Sequence, residues 1–261
     1  MMDVIKNPIA VMAGSPTDAG MGAEFYKRQG LRTQAFPLGK SGKEQNRFML
    51  LPPEQRLEKV CALVGEIKAA GYSGILVYCN ALSAAVDMAE PAKQYGLPII
   101  TPLQAYGQIA AAYRKLAVFA ANGQSLAAIE RSIYAAKGDI DLVLAADMSV
   151  VQAIEQSLPP REIISWFGLD KLAAYFNQNQ VEAIILGCTH FPYLQGDWQA
   201  LSAVPLLDPA MVMLESLQKA LADYACLRSG SRRPGALFEN GTVTAGITAA
   251  QPGEKAKIAC K

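Results

Sequence analysis

Cys79 and Cys188 each follow a short apolar run and precede a small polar residue: GILVYCN over 74–80 and VEAIILGCTH over 181–190. A thiol at the carboxyl end of a strand faces the loops and helix N-termini where ligands of α/β proteins collect. Free N–H donors and partial positive charge there suit a carboxylate, and they draw a thiol toward its thiolate. Two such thiols on opposite walls of a cleft can take a proton from one face of a carbon and return one to the other. That is general acid–base chemistry with two opposed groups. A free cysteine is commonly just a small buried apolar residue. Asn80 and Thr189, directly after the sulfurs, are poor core residues and good carboxylate ligands. His190, the single histidine of the chain, follows Cys188 by two positions and can act as its local acid–base partner.

The elements that must hold these residues are legible as apolar runs. IAVMAG (9–14), GILVYCN (74–80), LPIIT (97–101), KLAVFAA (115–121), DIDLVLAAD (139–147), VEAIILGC (181–188) and VPLLD (204–208) read as strands. They are apolar throughout rather than alternating, which suits strands covered on both faces. Between them, 52–71, 83–96, 103–115, 125–138, 168–180 and 209–225 have helical patterns, the first with a stripe of Leu57, Val60, Cys61, Val64 and Ile67. Alternating strands and helices imply βαβ units. YSGILVYCNALSA (72–84) and VEAIILGCTHFPY (181–193) also repeat one another loosely, each leading to a short strand that begins at a proline. The expectation is an α/β protein of two similar lobes with mainly parallel sheets and a site in the cleft between them. Residues 1–101 with 209–228 would form one lobe and 102–208 the other, with 229–261 a peripheral or poorly ordered tail.

Composition narrows the classes. The chain has 261 residues, 51% of them hydrophobic and 18% charged, which is globular and not disordered. Twenty-four basic against 23 acidic residues leave a net charge of +1, so nucleic acid is not expected as a partner. No run approaches the roughly 18 apolar residues of a membrane span. The N-terminus MMDVIKNPIAVMAGS lacks a signal-peptide pattern, so no membrane association is expected and a cytoplasmic location is. The five scattered cysteines make a poor disulfide framework, and with one histidine and no CxxC pair no metal site is expected.

The two thiol segments resemble a known family. CNALSAA (79–85) resembles the Cys-Asn-Thr-Ala-Ser-Ala motif of glutamate racemases, and LGCTHFPYL (186–194) resembles their Leu-Gly-Cys-Thr-His-Tyr-Pro motif almost residue for residue. FPLGKSG (36–42) is similar to the family's Pro-Tyr-Gly loop and LLDPA (206–210) to its strand-end Asp segment. The resemblance spans about residues 8–225. It implies a cofactor-independent enzyme of the aspartate/glutamate racemase superfamily, closing two lobes over a small amino acid. Cys79 and Cys188 would exchange protons with the α-carbon and His190 would assist Cys188. Asn80, Thr189 and Ser83 would lie around the substrate carboxylate, with Ser15, Pro37 and Gly39 as further substrate-binding positions. The family's glutamate enzymes supply D-glutamate for peptidoglycan in bacteria, and the resemblance suggests a homodimer.

The match departs from the family at its first strand, which there ends in Phe-Asp-Ser-Gly-Val-Gly-Gly. Here AVMAGSPTDAGMG (10–22) puts Ser15 at the serine, Gly14 at the aspartate, and two extra residues after them. Asp18 recovers the acidic role if the loop folds back; otherwise it is a turn or capping residue. Ala121 and Asn122 replace a threonine, PLQAYG (102–107) replaces Ile-Glu-Pro-Gly, and Leu38 replaces the loop tyrosine. Three readings follow: a racemase of acidic amino acids, a relative that decarboxylates or isomerises small carboxylic acids, and a racemase fold kept to bind a small carboxylate. Having both thiols argues against the second, and Gly14 favours the third.

Overall fold

A computed structural model describes residues 7–228, and the tail at 229–261 lies outside the described residues. In the first half, β1 (Ile9–Ala13), α1 (Pro16–Arg28), β2 (Thr33–Pro37), α2 (Gly42–Met49), α3 (Pro53–Ala69), β3 (Ile75–Val77), α4 (Asn80–Ala85), α5 (Ala89–Tyr95) and β4 (Ile99–Ile100) follow in order. The second half runs α6 (Pro102–Ala110), β5 (Lys115–Ala120), α7 (Gly123–Ala136), β6 (Asp141–Ala146), α8 (Met148–Glu155), α9 (Pro160–Trp166), α10 (Leu169–Gln178) and β7 (Ala183–Gly187). A 3₁₀ turn (Phe191–Leu194), α11 (Gln195–Gln199) and β8 (Leu206–Leu207) complete it, and α12 (Ala210–Arg228) follows.

The strands form two four-stranded sheets, ordered β2-β1-β3-β4 and β6-β5-β7-β8, with every pairing parallel. Each sheet thus repeats one strand order, and the chain is an α/β protein of two similar lobes. Alternate residues of β1 go to opposite faces, as a strand's period of two requires. Ala10 and Met12 join Val60, Val64, Ile67 and Leu82 of α3 and α4. Ile9 and Val11 join Tyr26 of α1 and Met213, Leu214 and Leu217 of α12. In the second sheet, Phe119 and Leu186 pack with Phe176 and Trp198, while Val118 and Ile185 pack with Tyr106, Ile129 and Ile133. β1, β3 and β7 are buried along their whole length, which is why they read as unbroken apolar runs.

Four local features depart from the sequence reading. β6, expected to be covered on both faces, is a half-exposed edge strand, because only β5 pairs with it. TQAFP forms β2, an edge strand left half-exposed, so it carries little apolar signal. Residues 16–28 form α1 despite three glycines nearby, because Ser15 caps it and Pro16 presets its first turn. The single helix expected over 83–96 is two. Val86 is extended (φ −138°, ψ 131°), and the Asp87 carboxylate accepts the Ala89 N–H at 2.9 Å, starting α5 afresh.

Candidate active site

In both sheets the strand order reverses beside the first strand, so the crevice lies between the carboxyl ends of β1 and β3 in one lobe and of β5 and β7 in the other. Gly14, Ser15 and Cys79 leave the first pair; Asn122 and Cys188 leave the second. Hydrogen bonds join the two crevices. The Thr189 hydroxyl donates to Asp18 Oδ1 at 3.0 Å, and His190 Nδ1 lies 3.1 Å from the same oxygen. The two lobes therefore meet at one carboxylate.

Asp18 reaches this position through the cap of α1. Ser15 Oγ accepts the Asp18 N–H at 3.2 Å and donates its own proton to Asp18 Oδ2 at 3.3 Å, so the residue that starts the helix also orients the acid. Asp18 sits in the first turn of α1 with its side chain turned to the other lobe. Burial raises its pKa above the usual carboxylate range, opposed by His190 and by hydrogen bonds from Thr189, Ser15 and Cys79. Asp18 thus faces a thiol of its own lobe and the Thr189–His190 pair of the other.

Cys79 occupies the N-cap position of α4 with extended backbone. Its sulfur faces the N–H groups of Leu82, Gly14 and Ala81, which favour a thiolate, yet burial and the nearby Asp18 push its pKa from 9.0 up to about 12. Cys188 precedes the 3₁₀ turn and stands 3.8 Å from His190 Nδ1. Its pKa is also raised, first by burial, then by the charge of Asp18 and further by Cys79 itself, while the His190 N–H and the Thr189 hydroxyl oppose the rise. Each thiol is a scarce but strong base once ionised.

Two buried polar nitrogens here lack hydrogen-bond partners among the described residues. Asn80 accepts the Tyr106 hydroxyl on Oδ1 at 3.0 Å, while its Nδ2 is buried and unpaired. His190 Nε2 is likewise buried and unpaired, 3.5 Å from Glu155 Oε1 without hydrogen-bond geometry. An unmet buried donor is costly, and an anionic ligand between the lobes is a natural acceptor for the Asn80 amide. Both thiols (3% and 8% exposed), Ser15, Asp18, Asn80, Ser83, Thr189 and His190 are all buried, so the lobes are closed over the site.

Other expected ligands stand apart from this cluster. Ser83 Oγ donates to the Cys79 carbonyl at 2.8 Å and so serves α4. Gly39 donates its N–H to the Gly14 carbonyl at 3.1 Å, shaping the loop beside the site. Pro37 is exposed at the end of β2, in register with Ala13. Asp208 caps α12 by accepting the Ala210 N–H at 3.0 Å.

Gln45, on α2, carries no signal in the sequence pattern. A Cβ added to Gly14 would meet Gln45 Cδ at 2.6 Å, so Gln45 fills the space a side chain at 14 would need. Its Nε2 donates to Cys79 Sγ at 3.8 Å. Where the resembling family has an aspartate beside the first thiol, this chain brings an amide from another helix. Tyr106 was also missed, because its helix carries no sign that one hydroxyl crosses to Asn80.

Comparison with known proteins agrees with this architecture. Residues 51–217 match the family model for Asp/Glu/hydantoin racemases. A curated glutamate racemase from Thermus thermophilus is 26% identical over 174 residues, which cover 65% of this chain and 63% of the relative, just under two thirds of its length. Among solved structures, the glutamate racemase isoform RacE1 of Bacillus anthracis superposes with a TM-score of 0.65 at 17% identity, over 84% of this chain and 82% of that one. An aspartate racemase homologue from Pyrococcus horikoshii gives 0.61 at 13% identity, over 83% and 99%. At such identities the solved structures speak for the fold alone.

Proposed function

The chain belongs to the Asp/Glu/hydantoin racemase family, and on that premise we propose that it is an amino-acid racemase, inverting the α-carbon of an acidic amino acid without a cofactor. Glutamate is the first candidate, since the curated relative is a glutamate racemase; the product would then serve peptidoglycan synthesis. The observation that carries this reading is that Asp18 of one lobe meets Thr189 and His190 of the other, beside the strand-end thiols Cys79 and Cys188. The lobes are taken as 1–101 with 209–228 and 102–208.

When the lobes close on substrate, Asn80 Nδ2, the Thr189 hydroxyl and the N–H groups heading α4 hold its α-carboxylate. One thiolate takes the Cα proton, and the negative charge passes to the carboxylate. The opposite thiol then delivers its proton to the other face, leaving the two sulfurs with exchanged protonation. A thiolate whose conjugate acid is held near 12 is a stronger base than an ordinary one, which suits a weakly acidic C–H. Asp18 and His190 take up and return the thiol proton on their own sides, and Gln45 hydrogen-bonds the Cys79 thiolate.

One observation favours a binding protein instead: Gly14 stands where the resembling family has its aspartate, and the Gln45 amide packed against it cannot accept a proton. Purified protein incubated with each enantiomer of glutamate and aspartate separates the two readings. Loss of optical rotation, abolished in both Cys79→Ser and Cys188→Ser, supports the racemase; saturable binding with unchanged rotation supports the carboxylate-binding protein.

A further inference from the structure

A second polar cavity lies between the lobes, outside the thiol site. It has a volume of about 430 Å³ and is lined by Arg56, Ala84, Ala85, Gly123, Gln124 and Arg131 among others. Arg56 comes from the first turns of α3 in one lobe, and Arg131 from α7 in the other. Neither has an ion-pair partner among the described residues, and no carboxylate lines the cavity. Arg56 is half-buried and its Nε is enclosed with no hydrogen-bond partner, while Arg131 and Gln124 are exposed at the mouth of the cavity. Buried polar atoms are nearly always satisfied, so the Arg56 guanidinium is short of an acceptor.

The opposite wall adds donors. Gln124, Ala127 and Arg131 share one face of α7 at helical spacing, and all three line the cavity. Asn122 caps α7 by accepting the Ser125 N–H, so the first-turn N–H groups of Gly123 and Gln124 head the helix at its positive end. Ala84 and Ala85 keep the remaining wall small and the space open. Two guanidinium groups, a helix N-terminus and no acidic neighbour make a site for an oxyanion.

We propose that this cavity binds the phosphate or carboxylate groups of a small anionic metabolite and, by gripping Arg56 and Arg131 together, holds the two lobes shut. The buried thiols are reached only when the lobes part, so the ligand governs access to them from a distance. The cavity exceeds the needs of a single phosphate, which favours an anion with two charged groups.

Calorimetric titration with pyrophosphate, inorganic phosphate and succinate at constant ionic strength tests this. Saturable binding is expected, weakened on the order of tenfold in Arg56→Gln and in Arg131→Gln and retained in Arg161→Gln, which lies elsewhere. Gln124→Glu gives a variant of a different kind: an acid in the first turn suits the helix and repels an anion. Preference for pyrophosphate or for succinate tells a phosphate ligand from a dicarboxylate. Saturating anion also slows alkylation of Cys79 and Cys188, followed peptide by peptide, in the wild type and not in the cavity variants. No saturable binding at millimolar concentration, equal affinity in all cavity variants, or alkylation indifferent to the anion overturns the proposal. None of these readouts depends on racemase activity.

Discussion

Asp18 Oδ1 stands 3.1 Å from His190 Nδ1, so a carboxylate from the first lobe and the chain's one imidazole from the second are in direct contact. Both are almost wholly buried, and the Thr189 hydroxyl shares the same oxygen. The contact joins the two lobes at one carboxylate, next to Cys188.

Asp18→Asn keeps the size of the side chain and removes its proton affinity. Loss of a positioned acid–base group costs on the order of 10²–10⁴ in rate. We expect that loss in kcat, with an unchanged circular dichroism spectrum. Activity within a few-fold of wild type would assign Asp18 to the capping of α1 alone.

Gln45 and Gly14 form a coupled pair. Gly14→Ala drives a methyl group against the Gln45 side chain and swings its amide off Cys79. Gln45→Ala removes the same amide. Each variant therefore slows the reaction, and the double variant is no worse than either single one. A double-mutant cycle measures this, with neighbours in contact coupling by about 0.5–3 kcal/mol. Additive losses contradict the account.

Tyr106 ties the lobes through Asn80. Tyr106→Phe leaves a buried amide without its donor, which costs about 1–3 kcal/mol. Urea unfolding should report that loss, and KM for the amino acid should rise as Asn80 loses its orientation. Unaltered stability and unaltered KM together would remove Tyr106 from the site.

Folding raises the proton affinity of both thiols, mainly by burying them. Above about pH 8.5 the unfolded chain gives up these protons while the folded chain keeps them. The unfolded state then binds fewer protons, so stability falls as pH rises from there toward the folded value of about 12 at Cys79. Urea midpoints between pH 8 and 10 should decline in the wild type and decline less in Cys79→Ser. Identical slopes would mean that the thiol ionises freely in the folded protein.

The sequence disclosed what burial on both faces makes visible. β3 and β7 read as unbroken apolar runs because helices cover them from both sides, and the sulfurs stood out because polar residues followed directly. β2 stayed hidden as a half-exposed edge strand. The break at Val86 depends on one side-chain cap from Asp87, which the surrounding helical pattern masks. At the candidate site, Asn80, Thr189 and His190 drew attention because they follow the strand-end thiols, and Ser15 through the family resemblance. Gln45 did not, because its contact with Cys79 spans 34 residues and arises only when α2 folds over Gly14.

The most direct test of the two-thiol account is deuterium incorporation at the α-carbon of L-glutamate and of D-glutamate in D₂O. The wild type should incorporate deuterium as it inverts the centre, and neither Cys79→Ser nor Cys188→Ser should racemise either enantiomer. Racemisation at wild-type rate in either variant would contradict it.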